Sequence, residues 1–109
     1  MMTDNCLIKI KQKYFLWSEY LKCPITCGYN EDKIKEIIDK YQYSKKWIND
    51  QIEQCNLTRC GNKYKTIEEI LKDNCAGIDE EYLSENEIYE LYYVKKYRPV
   101  VEKCKSVKE

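Results

Sequence analysis

The chain has 109 residues, a length suited to one domain, and 43% of them are hydrophobic, which is enough for a modest core. Nineteen Lys and Arg residues balance nineteen Asp and Glu residues, so overall charge does not indicate a nucleic-acid or membrane partner. The chain has no histidine, which removes the commonest general base and zinc nitrogen ligand. We therefore expect a protein that is not an enzyme and has no small-molecule substrate.

The first residues and the cysteine count predict a compartment. Residues Met1–Lys13 offer no apolar run typical of a signal peptide, and no stretch of the chain has the length and hydrophobicity of a transmembrane segment. An odd number of cysteines, seven, favours a reducing, cytoplasmic setting, where close cysteine pairs are more often metal ligands than disulfides. The alternative is a mature secreted protein in which the seven cysteines form three disulfides and leave one thiol.

In chain order, the first predicted element is a helix from Asp4 to Leu21, ended by Pro24. Its apolar positions recur at three and four residues: Leu7, Ile10, Tyr14, Trp17 and Leu21. The cluster Tyr14-Phe15-Leu16-Trp17 is interpreted as core, and its alternative role is a stacking platform for RNA bases.

A second helical region is predicted from Glu31 to Gln54, with Asn30 as the N-cap. Residues of weaker helix propensity interrupt it at Tyr41–Ser44, and Ser44 is able to cap a separate helix that begins at Lys45. The region is therefore either a helical hairpin or one unbroken helix, and the zinc site described next requires the hairpin.

Two close cysteine pairs bracket this region: Cys23 with Cys27, and Cys55 with Cys60. A short loop between two cysteines supplies two of the four thiolates of a tetrahedral zinc site, so these four are the predicted ligands of one structural zinc ion. An unbroken helix would hold the pairs roughly 35 Å apart, so the site requires the helix break. Gly28 and Gly61, which follow the pairs, are expected to adopt positive φ. Disulfides and simple buried thiols are the alternatives.

The three other cysteines are not expected to bind the metal. Cys6, Cys75 and Cys104 each stand alone in the sequence, with no other cysteine nearby. Cys75 is the one that we predict to be buried, because a thiol without a ligand role behaves as a small hydrophobe.

Two capping boxes complete the predicted secondary structure. Thr66 with Glu69 begins a short third helix, and Ser84 with Glu87 begins another that Pro99 closes. The latter carries Ile88, Leu91, Tyr92 and Lys95 on one side. The predicted fold class is therefore all-α, a domain of four to five helices over residues 1–98 that the zinc site holds together, followed by an extended basic tail over residues 99–109.

Charge is segregated near the carboxyl end of the chain. Six acids and no Lys or Arg lie between Asp79 and Glu90, and six bases against two acids lie between Lys95 and Glu109. Bases interleaved with tyrosines suit a phosphate backbone with stacked bases. The predicted RNA-binding residues are Tyr92, Tyr93, Lys95, Lys96, Tyr97, Arg98, Lys103, Lys105 and Lys108. A solvated acidic helix start and a solvated tail are the simpler interpretation.

Two resemblances bear on function. The segment Cys23-Pro24-Ile25-Thr26-Cys27-Gly28 is similar to the Cys-Pro-x-Cys-Gly knuckle of zinc ribbons but has an extra residue between its cysteines, and the Cys55–Cys60 spacing departs further from it. The bias towards Lys, Ile, Tyr, Asn and Cys, together with the basic tail, resembles the small microsporidian dormancy factors that bind idle ribosomes.

The second resemblance implies a ribosome hibernation or structural factor whose partners are ribosomal RNA and ribosomal proteins. We accordingly expect a non-enzymatic factor that docks on a ribonucleoprotein and lays its tail along RNA. The alternative is a secreted, disulfide-stabilised parasite or viral binding protein.

Overall fold

The first secondary-structure element of the chain is a β-hairpin and not the helix predicted from Asp4 to Leu21. In the computed structural model, which describes residues 5–97, strand β1 (Asn5–Ile10) pairs antiparallel with strand β2 (Lys13–Ser18). Both faces of the hairpin are covered by protein, so its strands read as nearly continuous apolar runs. Such runs hide the two-residue period of a strand, and the helix-like spacing that they contain by chance led to the wrong prediction.

The turn between the two strands also lacks the usual sequence signal. It consists of Lys11 and Gln12, with φ of 49° and 71°, the left-handed region that two-residue hairpin turns require. Asn-Gly or Asp-Gly is the common choice there, because other residues pay a steric cost for positive φ. The Lys-Gln pair therefore gave no indication of a hairpin.

The fold is mixed α and β, so the all-α prediction is wrong. A short strand, β3 (Cys23–Pro24), pairs with β2 and completes a three-stranded antiparallel sheet in the order β1-β2-β3. Within residues 5–97 the sheet is followed by four α-helices and a π-helical turn: α1 (Glu31–Asp39), α2 (Lys45–Thr58), α3 (Ile67–Leu71), α4 (Glu85–Tyr89) and the turn Glu90–Val94.

The sheet separates two hydrophobic clusters. Ile8 and Phe15 pack on one face with residues of α3, α4 and the π-helical turn, whereas Leu7 and Leu16 pack on the other face with residues of α1 and α2. Phe15 and Leu16 are fully buried and Trp17 is 1% exposed, so the prediction that Tyr14–Trp17 belongs to the core is confirmed.

The predicted helix caps and the helix break are confirmed. The side chain of Asn30 accepts the N–H of Lys33 at the start of α1, and that of Ser44 accepts the N–H of Trp47 at the start of α2. The chain between them leaves the helical conformation after Asp39, so the two helices form the expected hairpin. Their apolar faces cover one side of the sheet.

Both predicted capping boxes are also present, at Thr66 with Glu69 and at Ser84 with Glu87. The last helix is shorter than expected, because regular α-helix ends at Tyr89 and the π-helical turn ends at Val94. Pro99 and the predicted tail lie outside the described residues. None of the helices within residues 5–97 has both the length and the hydrophobicity needed to cross a membrane.

The outer edge of β1 is covered by Gln51 of α2 and by the segment that follows α2. The N–H of Leu7 donates to Gln51 Oε1 at 2.9 Å, and the carbonyl of Leu7 accepts the N–H of Gly61 at 2.8 Å. Further along, the N–H of Lys9 donates to the carbonyl of Arg59 at 2.9 Å. These bonds satisfy an edge that would otherwise expose unpaired backbone groups.

Candidate nucleic-acid interface

Three lysines and two tyrosines from separate segments form what we call the lysine–tyrosine surface: Lys11, Lys13, Tyr89, Tyr93 and Lys96. Lys11 Nζ lies 4.8 Å from the centre of the Tyr89 ring, and Lys13 Nζ lies 4.9 Å from that of Tyr93. Lys96 Nζ lies 5.5 Å from the Tyr93 ring centre as well. The two rings are neighbours, with centroids 5.1 Å apart and planes inclined by 34°.

Strand register and helix periodicity explain why these side chains meet. Lys13 lies directly opposite Ile10, so both project from the face of the sheet that packs against α4 and the π-helical turn. Tyr89 and Tyr93 are four residues apart, a spacing that places them on one side of a helix. The hairpin turn thus places Lys11 and Lys13 next to the rings of Tyr89 and Tyr93.

The surface carries concentrated positive charge. Among residues 5–97, every ion pair involves other lysines or Arg59, so no carboxylate of that part lies within 4.0 Å of the three ammonium groups. Of the nearby acids, Glu87 and Glu90 line a separate shallow groove together with Lys95. Lys11 and Lys96 are exposed, and Lys13 and both tyrosines are half-buried.

Tyr92, which was predicted to bind RNA, belongs to the core. It is 3% exposed, and its hydroxyl donates a hydrogen bond to the carbonyl of Ala76. Burial raises the pKa of Tyr92 above its ordinary value, with smaller contributions from the nearby charges of Cys23 and Tyr97. Its ring is therefore not available for stacking on a base.

The other predicted RNA-binding residues divide into three groups. Tyr93 and Lys96 lie on the lysine–tyrosine surface, and Lys95 is exposed beside its acidic groove. Tyr97 is half-buried and meets the Tyr92 ring edge-on, with centroids 5.5 Å apart. The last group lies outside the described residues: Arg98, Lys103, Lys105 and Lys108.

Sequence analysis missed Lys11, Lys13 and Tyr89. The signal was the alternation of lysines at residues 9, 11 and 13, which points to a basic hairpin once the strands are recognised. In the predicted helix these lysines lie away from the apolar face and have no assigned role.

The predicted four-cysteine zinc site is not formed. The Cys27 thiol donates to the carbonyl of Tyr97 at 3.1 Å, and the Cys55 thiol donates to the carbonyl of Leu7 at 3.2 Å, on the opposite side of the sheet. Cys23 and Cys60 likewise do not join them, and no group of three or more Cys, Asp or Glu residues suited to a metal ion exists within residues 5–97. The prediction paired cysteines that are close in sequence, whereas strand pairing sets their positions.

The two glycines do not have the role that the zinc hypothesis assigned to them. No glycine in residues 5–97 has positive φ. At Gly28 a Cβ atom would lie 2.6 Å from Cζ of the Phe15 ring, and at Gly61 it would overlap the Gln51 amide. These positions require glycine because of close packing and not because of a left-handed backbone.

Cys6 is the cysteine that packs most closely with one of the predicted ligands. It is 2% exposed, whereas Cys75 is half-buried, so the prediction that Cys75 would be the buried one is wrong. The Cys6 thiol is hydrogen-bonded to the Cys60 sulfur, and this bond, assisted by burial, raises the pKa of Cys6. The same bond lowers the pKa of Cys60, because its sulfur accepts. Cys104 lies outside the described residues.

Comparisons with protein-family models, with curated proteins and with solved structures find no match for this chain. The geometry of the lysine–tyrosine surface is therefore the basis on which a function can be proposed.

Proposed function

We propose that this protein is a non-enzymatic RNA-binding factor that associates with the ribosome and contacts RNA through the lysine–tyrosine surface. The observation that carries the proposal is the placement of three lysine ammonium groups over two adjacent tyrosine rings. The proposed partners are ribosomal RNA and ribosomal proteins, and the proposed location is the cytoplasm.

The chemistry of this surface suits a phosphate backbone. Ammonium groups neutralise phosphates and release counterions, which supplies most of the affinity of sequence-independent binding. A ring beneath a lysine attracts its ammonium by about 0.5–1 kcal/mol at an exposed site. The side chains of Lys11, Lys13 and Lys96 are thus partly ordered before RNA arrives, so less conformational entropy is lost on binding.

The half-buried tyrosines favour single-stranded over double-stranded RNA. Bases of an unpaired strand can be splayed out and stacked on aromatic side chains, which bases in a duplex cannot do. Lysine ammonium groups lie over the rings of Tyr89 and Tyr93, so a base that stacks on either ring displaces a lysine, which then faces the phosphate. The lysines of the sequence beyond residue 98 supply further phosphate contacts in this proposal.

The test is a salt titration of RNA binding. Fluorescence anisotropy with a labelled single-stranded RNA, measured from about 50 to 300 mM salt, gives the slope of log affinity against log salt concentration. Replacing Lys11, Lys13 and Lys96 together by Gln should make this slope shallower by about 2 units, since each phosphate neutralised on a single strand contributes about 0.7.

A matched variant separates the surface from net charge. Lys40, Lys45 and Lys72 are exposed lysines at helix ends for which the structure shows no ring contact, and their joint replacement by Gln removes the same charge. It should change the slope by less than half as much. Equal slopes for the two triple variants would contradict the proposed surface.

Association with the ribosome is tested separately. The full chain should sediment with purified ribosomes at low salt and dissociate as salt rises, and the surface variant should remain in the supernatant. A truncation after Arg98 should sediment less than the full chain, because it removes Lys103, Lys105 and Lys108. A protein that binds free RNA but never sediments with ribosomes would retain the RNA proposal and refute the ribosomal one.

A further inference from the structure

Cys6 and Cys60 are distant in sequence but share one face of the sheet. Ile8 and Cys60 form an isolated antiparallel bridge, flanked by the backbone hydrogen bonds from Gly61 to Leu7 and from Lys9 to Arg59. In that pattern Ile8 and Cys60 are a closely spaced, non-hydrogen-bonded pair. Since residues two apart on a strand project from the same face, Cys6 is the diagonal neighbour of Cys60.

The two thiols are neighbours inside the core. Cys6 and Cys60 belong to the same buried cluster and are 2% and 0% exposed. The Cys6 thiol donates its hydrogen bond to the Cys60 sulfur, and the N–H of Asn62 also donates to that sulfur. A disulfide requires Cβ atoms about 3.5–4.5 Å apart, which is closer than diagonal neighbours lie in a regular sheet, so the segment that carries Cys60 has to move towards β1 when the bond forms.

We propose that Cys6 and Cys60 form an intramolecular disulfide when the chain folds in the presence of a small disulfide oxidant of the glutathione class. In the reaction both S–H bonds break, one Cys6–Cys60 S–S bond forms, and glutathione disulfide is reduced to two molecules of glutathione. The inference does not depend on RNA binding: in the reducing cytoplasm proposed above the two thiols stay reduced, and the bond forms only where such an oxidant is present.

The other described cysteines are less suited to this bond. The thiols of Cys27 and Cys55 donate to backbone carbonyls, which orients their sulfur atoms away from a partner thiol. Cys23 and Cys75 line one open groove of about 580 Å³ and are half-buried, so they are the competing pair and the first to meet an external oxidant.

Burial determines when the bond forms and how long it lasts. An attacking thiolate has to reach a sulfur atom of the bond, so a disulfide at full burial is reduced slowly in the folded protein. The same burial delays oxidation of the folded, reduced chain. The Cys6–Cys60 bond is therefore expected to form during folding and to behave as a structural disulfide and not as a rapid switch.

The experiment maps the bond in the unmutated full chain. The reduced protein is unfolded in urea, diluted into a mixture of glutathione and glutathione disulfide, alkylated and digested with trypsin without reduction. Cleavage after Lys9, Arg59 and Lys63 separates Cys6, Cys55 and Cys60 onto different peptides. Mass spectrometry should find the Cys6 peptide linked to the peptide Cys60–Lys63 as the most abundant disulfide product.

A dominant link between Cys23 and Cys75, or a product in which Cys6 and Cys60 are both alkylated, would overturn the proposal. This mapping needs no substitution, so it decides the matter even if a variant fails to fold.

Variants supply a second measurement. The oxidised chain should melt at least about 5 °C above the reduced chain, because the bond closes a long loop of the unfolded state. Cys60→Ser should abolish this difference, and Cys75→Ser should retain it. Loss of the difference in Cys75→Ser, with no loss in Cys60→Ser, would assign the stabilising bond to the other pair and refute the inference.

Discussion

Replacing Gly61 by Ala tests how the edge of β1 is held. A Cβ atom at residue 61 would overlap Gln51 Oε1 and lie 2.8 Å from its Cδ, so the amide would have to leave. The N–H of Leu7 would then lose its acceptor at 2.9 Å, and since Leu7 is fully buried, water cannot readily replace it. A buried donor without a partner costs about 1–3 kcal/mol, which is the expected loss in the free energy of unfolding.

Gly61→Ala should have little effect on the free energy of unfolding once the Gln51 side chain is removed. In a Gln51→Ala background, the new methyl group meets only the Leu7 nitrogen at 3.2 Å, a tight contact that a small shift relieves. Ala at residue 61, where φ is not positive, also reduces the freedom of the unfolded chain, a gain of about 0.4–1 kcal/mol. The expected effect of Gly61→Ala in this background is therefore within about 0.5 kcal/mol of zero.

Urea denaturation of the four proteins of this cycle, followed by tryptophan fluorescence, gives the coupling energy. Trp17 is 1% exposed, so its emission should report unfolding strongly. Gly77→Ala is the control at an exposed site: a Cβ atom there overlaps Cγ, Cδ and Oε1 of Glu81, but the hydrogen bond that this carboxylate accepts from the N–H of Asp79 is exposed, so water can replace it and the cost should be smaller. Equal costs of Gly61→Ala in the two backgrounds would refute the role assigned to Gln51.

Two further predictions concern the core. Gly28→Ala would place Cβ 2.6 and 2.7 Å from two ring atoms of Phe15, which is fully buried. The free energy of unfolding should fall by about 1–3 kcal/mol and lower the urea midpoint, and an unchanged midpoint would contradict this packing. Burial raises the pKa of Cys55 from its ordinary 9.0 to about 12, so the folded chain keeps a proton that the unfolded chain loses. Stability should therefore fall as pH rises from 9 towards 12, by up to about 1.4 kcal/mol per pH unit from this thiol. Cys55→Ala should flatten the slope between pH 9 and 11, and an identical slope would show that Cys55 does not contribute.

Helix beginnings were predictable because their chemistry is local. A cap depends on a side-chain oxygen and a backbone N–H two or three residues away, so Asn30, Ser44, Thr66 and Ser84 could be recognised from their immediate neighbours. The break after Asp39 was readable for the same reason, since Ser44 offers a new cap.

The hairpin was not predictable by the same means. Its strands are buried on both faces, which removes the alternation that identifies a strand, and its turn uses Lys11 and Gln12 at positive φ without glycine or asparagine. The error extended to the cysteines, because Cys6 meets Cys60 only through pairing of β1 with the segment after α2. Spacing along the chain carries no information about that pairing.

In the last helical segment Tyr92 is buried in the core, whereas the adjacent Tyr93 lies on the lysine–tyrosine surface. Helix periodicity explains the difference. Ile88 and Tyr92 are four residues apart and both buried, so they share the side of the helix that faces the core. Sequence analysis put both on one side of the helix but assigned Tyr92 to RNA binding. Tyr89 and Tyr93 follow one position later and emerge beside the lysines of the hairpin. The candidate site therefore depends on a hairpin that sequence analysis mistook for a helix. The hairpin lysines and the helical tyrosines of this surface are brought together only by the folded chain. Unfolding should therefore abolish the RNA binding that the lysine–tyrosine surface contributes, whereas RNA binding by the basic tail alone would survive unfolding.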